Sequence, residues 1–187
     1  MTNGDDLVFK TKIRSILLQG EINEEAFKHV YSEAIRLLDI SNKPINVIID
    51  TYGGYIDSMI AIHDLLKNLP CPIWTAGYGK VMSAGVLLLM CGEKGHRTVS
   101  ENTSIMVHEV WGISSGKITS LEADVIETRK LHDKMLSLYG KYTNKSKEEW
   151  CKMIESKPDL FIEPQQAIEY GVIDAISSSI FGIKKND

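Results

Sequence analysis

In Gly79-Lys-Val-Met-Ser83-Ala-Gly a single serine follows a β-type segment and its glycines and precedes a wholly apolar stretch that runs to Cys91. If that stretch is a buried helix, the serine hydroxyl and the next amide lie at its positive end, where a developing oxyanion is stabilised. Ser83 is therefore a candidate nucleophile, although a plain helix N-cap uses the same residue in the same place. Residue 81 is valine, so the Gly-x-Ser-x-Gly elbow of α/β hydrolases is absent.

A serine nucleophile needs a base, and the chain offers five histidines. His29, His63 and His132 fall within helical patterns, and His96 sits in the charged turn Glu93-Lys-Gly-His-Arg. His108 instead closes the apolar strand Ile105-Met-Val, and the ends of strands in α/β sheets are where ligand sites gather. Among 25 acidic residues, Asp159 in Lys157-Pro-Asp-Leu-Phe follows a proline and leads an apolar pair, a weak signal for an orienting carboxylate. The glycine pair in Asp50-Thr-Tyr-Gly-Gly-Tyr stands where a buried strand gives way to a helix. Glycines there serve a tight turn or let a ligand approach the backbone amides.

The elements that must position these residues alternate along the chain. Arg14-Ser-Ile-Leu-Leu-Gln reads as a strand stopped at Gly20, and Asn23 caps a helix whose Phe27, Val30, Ala34, Leu37 and Leu38 share a face. Ile45 to Ile49 is an apolar, β-branched run typical of a parallel strand covered on both faces. A helix from about Ile56 to Leu69 then crosses over to a strand at Ile73 to Ala76, followed by a turn at Gly77-Tyr-Gly. The buried helix Ser83 to Cys91 and a strand Thr103 to His108 continue the pattern. From Ile118 to Tyr142 helical spacing returns in a long amphipathic arm; Ser146-Lys-Glu-Glu opens a capped helix, and Pro164 to Tyr170 forms the last one before Gly171. The fold class expected is α/β with helical additions, in a single domain spanning 1–187.

Composition agrees with one ordinary globular core: 187 residues, 43% hydrophobic and 25% charged. The net charge of −4 and the lack of a basic stripe argue against nucleic acid as a partner. No apolar run approaches the roughly 18 residues of a membrane span, and Met1-Thr-Asn-Gly-Asp-Asp has no signal-peptide pattern, so a soluble, cytoplasmic protein is expected. Cys71, Cys91 and Cys151 lack metal-ligand or disulfide spacing and read as core residues; no cofactor or metal is expected.

Taken together, the motifs resemble the proteolytic subunit of the Clp ATP-dependent protease, over roughly residues 14 to 176 and in the order serine, histidine, aspartate. The family's Ser-Pro-Gly-Gly is similar to Asp50-Thr-Tyr-Gly-Gly, and its Ile-Tyr-Asp to Ile62-His-Asp. Its Gly-x-Ala-x-Ser-Met-Gly-Ala resembles Gly79-Lys-Val-Met-Ser-Ala-Gly-Val, and its Lys-Gly-x-Arg turn Lys94-Gly-His-Arg. Met-Ile-His-Gln-Pro is similar to Met106-Val-His-Glu-Val, and Asp-x-Phe to Asp159-Leu-Phe, with Glu169-Tyr-Gly-Val-Ile-Asp close behind. The resemblance implies Ser83 as nucleophile, His108 as general base and Asp159 as the group that fixes the imidazole tautomer. It implies an oxyanion hole from the amides of Gly54 and Ala84, and a crotonase-like Clp protease fold of repeated ββα units. It also implies the Ile118 to Tyr142 arm as a handle between two stacked heptameric rings, and peptide or unfolded protein substrates, with an AAA+ unfoldase as candidate partner.

Departures from the family pattern are Thr51-Tyr52 for Ser-Pro and Ala84 for methionine after the nucleophile, which changes the S1 wall but keeps an amide. The segment Met1 to Ile13 is shorter than the family's, which puts family-type axial gating and unfoldase docking in question. Two alternatives to a peptidase chamber stand beside it: a catalytically silent, ring-building paralogue, and a crotonase-type acyl-CoA enzyme using the same oxyanion amides. A signal-peptide peptidase with a Ser/Lys dyad is weaker, since no anchor is present.

Overall fold

The computed structural model describes residues 14–177; the Met1 to Ile13 segment, on which the gating expectation rests, lies outside them. Among the described residues seven strands make one sheet, with β1 (Ser15–Ile22), β2 (Ile45–Gly54), β3 (Ile73–Met82), β4 (Arg97–Val99) and β7 (Ala175–Ile176) in spatial order, all parallel. β3 has two partners on one edge: Thr75 to Gly77 pair with β4, and Lys80 to Met82 pair with β5 (Ser104–Val107). β5 in turn pairs antiparallel with β6 (Leu160–Ile162).

The crossovers are α1 (Glu24–Leu38), α2 (Ile56–Asn68) and α3 (Ala84–Met90). α1 starts where Asn23 accepts the Ala26 amide at 3.0 Å, satisfying one of the four donors a helix start leaves open. Its Val30, Ala34 and Leu37 are buried, and Phe27 and Leu38 pack beside them, the face that the sequence spacing implies. α3 is buried at every residue, so it reads as a continuous apolar run rather than an amphipathic one.

α4 (Ile118–Tyr142) is a 25-residue helix that buries only Met135, Leu136 and Tyr139, all near its C-terminal end. The remainder stands away from the core as an arm, with Ile118, Val125 and Ile126 exposed. α5 (Lys147–Glu155) opens with the reciprocal Ser146/Glu149 capping box, and buried Trp150 joins it to the arm by donating its indole N–H to Thr143 Oγ1 at 2.8 Å. α6 (Pro164–Tyr170) ends at Gly171, whose φ of +76° is the left-handed cap that glycine supplies most easily.

Six strands differ from the sequence-based expectation. β1 does not stop at Gly20: it passes through that residue at φ +88° and continues to Ile22, opposite a bulge in β2, which has one extra residue between the pairs Gln19↔Asp50 and Glu21↔Gly53. β2 runs through the glycine pair instead of ending before it. Gly77-Tyr-Gly is strand rather than turn, since β3 continues to Met82 with two extra residues against β2 between Gly77 and Val81. β4, β6 and β7 were not expected at all; each is two or three residues long and owes its conformation to a neighbouring strand.

Candidate active site

β3 ends at Met82, paired with Met106 of β5, and the Ser83 amide donates to the Met106 carbonyl at 2.8 Å. That tie fixes Ser83 to β5 two residues before His108, which follows the strand's last residue, Val107. The serine hydroxyl and His108 Nε2 are then 2.8 Å apart. On the other side, β6 is antiparallel to β5 with Val107 opposite Leu160, so the next pair outward is His108 and Asp159. Asp159 Oδ1 lies 3.8 Å from His108 Nδ1, an ion-pair distance longer than a hydrogen bond, and the aspartate is 55% exposed.

Ser83 is the sole non-glycine residue with positive φ among the described residues, at φ +54° and ψ −122°. A side chain held there is strained by about 1–3 kcal/mol, and such strain persists only where the surroundings over-determine it. The surroundings here are close. A Cβ on Gly53 would come within 2.7 Å of Ser83 Cβ, and one on Gly85 within 2.5 Å of the Thr51 methyl, so the elbow is walled by two glycines. The strand, sharp turn and helix are the elements of a nucleophile elbow, formed without the Gly-x-Ser-x-Gly sequence.

Ala84 is the first residue of α3, so its amide is one of the helix's outward-facing donors. Gly53 and Gly54 end β2 opposite Ser83, with φ of +108° and +156°. The Gly53 amide already donates to Thr51 Oγ1 at 2.9 Å. Asp50 binds Lys80 Nζ at 2.7 Å and Gln19 Nε2 at 2.9 Å, joining β1 to the bulged stretches of β2 and β3. The hydrogen bonds from Lys80 and then Gln19 hold the Asp50 carboxyl below its ordinary range.

A groove of about 920 Å³ runs over Ser83, His108, Gly54 and Ala84. Its apolar walls include Tyr52 and Trp111, each 72% exposed, with Ile56, Met59, Leu87 and Met135. The aromatic walls carry no signal in the sequence: Tyr52 lies near the end of β2 and Trp111 in the loop after His108. The other histidines lie elsewhere: His63 is buried between Asp64 and the Tyr142 hydroxyl, both at 2.8 Å, and His96 stacks on Trp74 at 4.3 Å. Cys71 and Cys91 are core residues as expected, and complete burial pushes the Cys91 thiol up to about 12; Cys151 is half-buried and donates to Glu155. Among the described residues no cluster of His, Cys, Asp or Glu could hold a metal ion, and no helix is long and apolar enough to cross a membrane.

Comparison with known proteins gives one consistent result. Residues 5–179 match the family model for Clp protease. The "ATP-dependent Clp protease proteolytic subunit 1" of Rhodopirellula baltica is 32% identical over 93% of this chain and 75% of its own length. A proteolytic subunit 2 from Treponema denticola is 28% identical over 95% and 90% of the two chains. Among solved structures, a ClpP1 mutant from Listeria monocytogenes superposes with a TM-score of 0.81, at 28% identity, covering 89% of this chain and 92% of that one.

Proposed function

We propose, from the premise that this chain belongs to the Clp protease family and has its fold, that it is a serine endopeptidase cutting peptides inside an oligomeric chamber with a Ser83, His108, Asp159 triad. Proteins of this family are hydrolases of peptide bonds, and the chain is an enzyme of that class. The observation that carries the assignment of residues is the 2.8 Å contact between Ser83 Oγ and His108 Nε2 at a strained elbow in the wall of the groove.

In this reading Ser83 Oγ attacks the scissile carbonyl while neutral His108 takes its proton at Nε2 and later returns it to the leaving amine. The Nδ1–H then faces Asp159, whose charge favours the imidazolium; the 3.8 Å gap is of the kind that closes when substrate is bound. The Gly54 and Ala84 amides receive the oxyanion. With the Gly53 amide occupied by Thr51, Gly54 is the member of the glycine pair left to that role. Two stacked heptameric rings built on the α4 arm, and delivery of unfolded substrates by an AAA+ ATPase, belong to the same proposal.

The test is labelling with a fluorophosphonate followed by peptide mapping. Modification of Ser83, lost in His108→Ala together with hydrolysis of short peptides, supports the triad. A folded, assembled protein that neither labels nor cleaves would be the silent ring-building paralogue.

A further inference from the structure

Thr51 stands where β1, β2 and β3 all depart from regular pairing: one residue bulges out of β2 against β1, and two out of β3 against β2, on either side of it. A bulge leaves backbone groups without ladder partners, and a buried unpaired group carries its full desolvation cost. The Thr51 side chain is completely buried and binds two backbone groups there. Its hydroxyl donates to the Gly20 carbonyl at 2.5 Å, on β1 opposite the bulge, and accepts the Gly53 amide at 2.9 Å. Its methyl packs where a side chain at Gly85 would lie, against the turn that follows Ser83.

One residue therefore touches both halves of the site: the glycine pair of β2 through its hydroxyl, and the elbow through its methyl. Glycine at 53 has almost no intrinsic preference for one peptide orientation, and Gly53 lies in direct contact with Ser83. Without that acceptor, the Tyr52 to Gly54 backbone loses one of the ties that orient its amides toward the groove and rests on its pairing with Glu21 and Ile22 of β1. We infer that Thr51 is a positioning residue for peptide hydrolysis, its hydroxyl orienting the glycine pair so that the Gly54 amide points at the oxyanion formed on Ser83 attack. The inference rests on the serine-peptidase reading and adds to it a group that never meets the substrate.

Two substitutions separate the hydroxyl from the methyl. Thr51→Val keeps the shape and removes both hydrogen bonds, while Thr51→Ser keeps the hydroxyl and removes the methyl. Thr51→Val is expected to lower kcat roughly 10- to 100-fold with KM changed less than about twofold, because a misaligned oxyanion donor is felt in the transition state. Affinity for a peptide boronate, which mimics the tetrahedral adduct, should fall by the same factor, and the shape of the pH profile should not move. Thr51→Ser should recover kcat to within about threefold.

Every rate is normalised to the number of sites that label to completion with fluorophosphonate, so that loss of folded protein is not counted as loss of turnover. A Thr51→Val enzyme with the unsubstituted kcat per labelled site overturns the inference, as does a Thr51→Ser enzyme as slow as Thr51→Val. If the unsubstituted protein neither cleaves nor labels, the peptidase reading itself falls and this role falls with it.

Discussion

In the proposed triad, alanine at position 83 removes the attacking oxygen but leaves a side chain in the same strained backbone conformation, φ +54°. Ser83→Ala should therefore lose several orders of magnitude in peptide hydrolysis with assembly unchanged, as judged by rate and by light scattering. Ser83→Gly is the informative companion. Glycine adopts this conformation without steric cost, and relief of about 1–3 kcal/mol of strain outweighs the roughly 0.5–1 kcal/mol of extra chain entropy that glycine loses on folding. We expect Ser83→Gly to be inactive yet more stable than Ser83→Ala in urea; a lower midpoint would mean the elbow is not strained. The proposed nucleophile would then be one the fold tolerates at a cost.

At the level of elements, the short strands β4 and β7 are held less by their two ladder pairs than by Arg97 and Asp174. Arg97 donates Nε to Asp174 Oδ2 at 2.9 Å and Nη2 to Oδ1 at 2.6 Å, and its Nη1 reaches the Tyr142 carbonyl at the end of α4, 2.9 Å away. Asp174 Oδ2 also accepts the Gly95 and Arg97 amides. Burial pushes the Asp174 carboxyl up, but the hydrogen bonds from Arg97 and these amides together outweigh it and leave it below its ordinary value. A depressed folded-state value means that the pair stabilises the fold above the ordinary carboxylate range, and that this contribution is lost as pH falls through the depressed value. Asp174→Asn should cost about 3 kcal/mol near neutrality, since it leaves the buried Arg97 without its counter-charge. The difference from the unsubstituted protein, measured by urea titration, should narrow steadily below about pH 4.

For the whole molecule, the decisive surface is the α4 arm. Ile118 is 75% exposed, and Val125 and Ile126 are more than half exposed, so an apolar flank lies in water along much of a 25-residue helix. Leu131, by contrast, is half-buried against its own chain, so the uncovered flank lies toward the arm's N-terminal half. Exposed apolar side chains of this kind suit a contact with another subunit, as the proposed ring stacking would supply. In the ring-stacking proposal, Val125→Asp and Ile126→Asp place charges in the contact between rings. Sedimentation should show particles of half the mass or less, with the monomer's circular dichroism unchanged. An unsubstituted protein that sediments as a stable monomer would remove the chamber from the proposal.

What the sequence determined by itself is what neighbouring residues decide among themselves. Asn23 and Ser146 as caps, the 3.6-residue stripe of α1, the buried run of α3, the length of the arm and the stop at Gly171 are all energies within a few residues, and all stand where the pattern places them. The candidate triad was legible only as residue types in an order that resembles a family's: taken singly, Ser83, His108 and Asp159 each had a plain structural reading that outweighed the catalytic one. Tertiary structure decided the rest because strand pairing couples residues far apart in the chain. Glycines 20 and 77, which read locally as stops, became strand positions once β2 offered hydrogen bonds on the other side. The same long-range pairing carries Met82 beside Met106 and Leu160 beside Val107, which sets His108 between a serine 25 residues before it and an aspartate 51 residues after it. No local preference encodes that meeting; it follows from the register of three strands, fixed by the core that covers them.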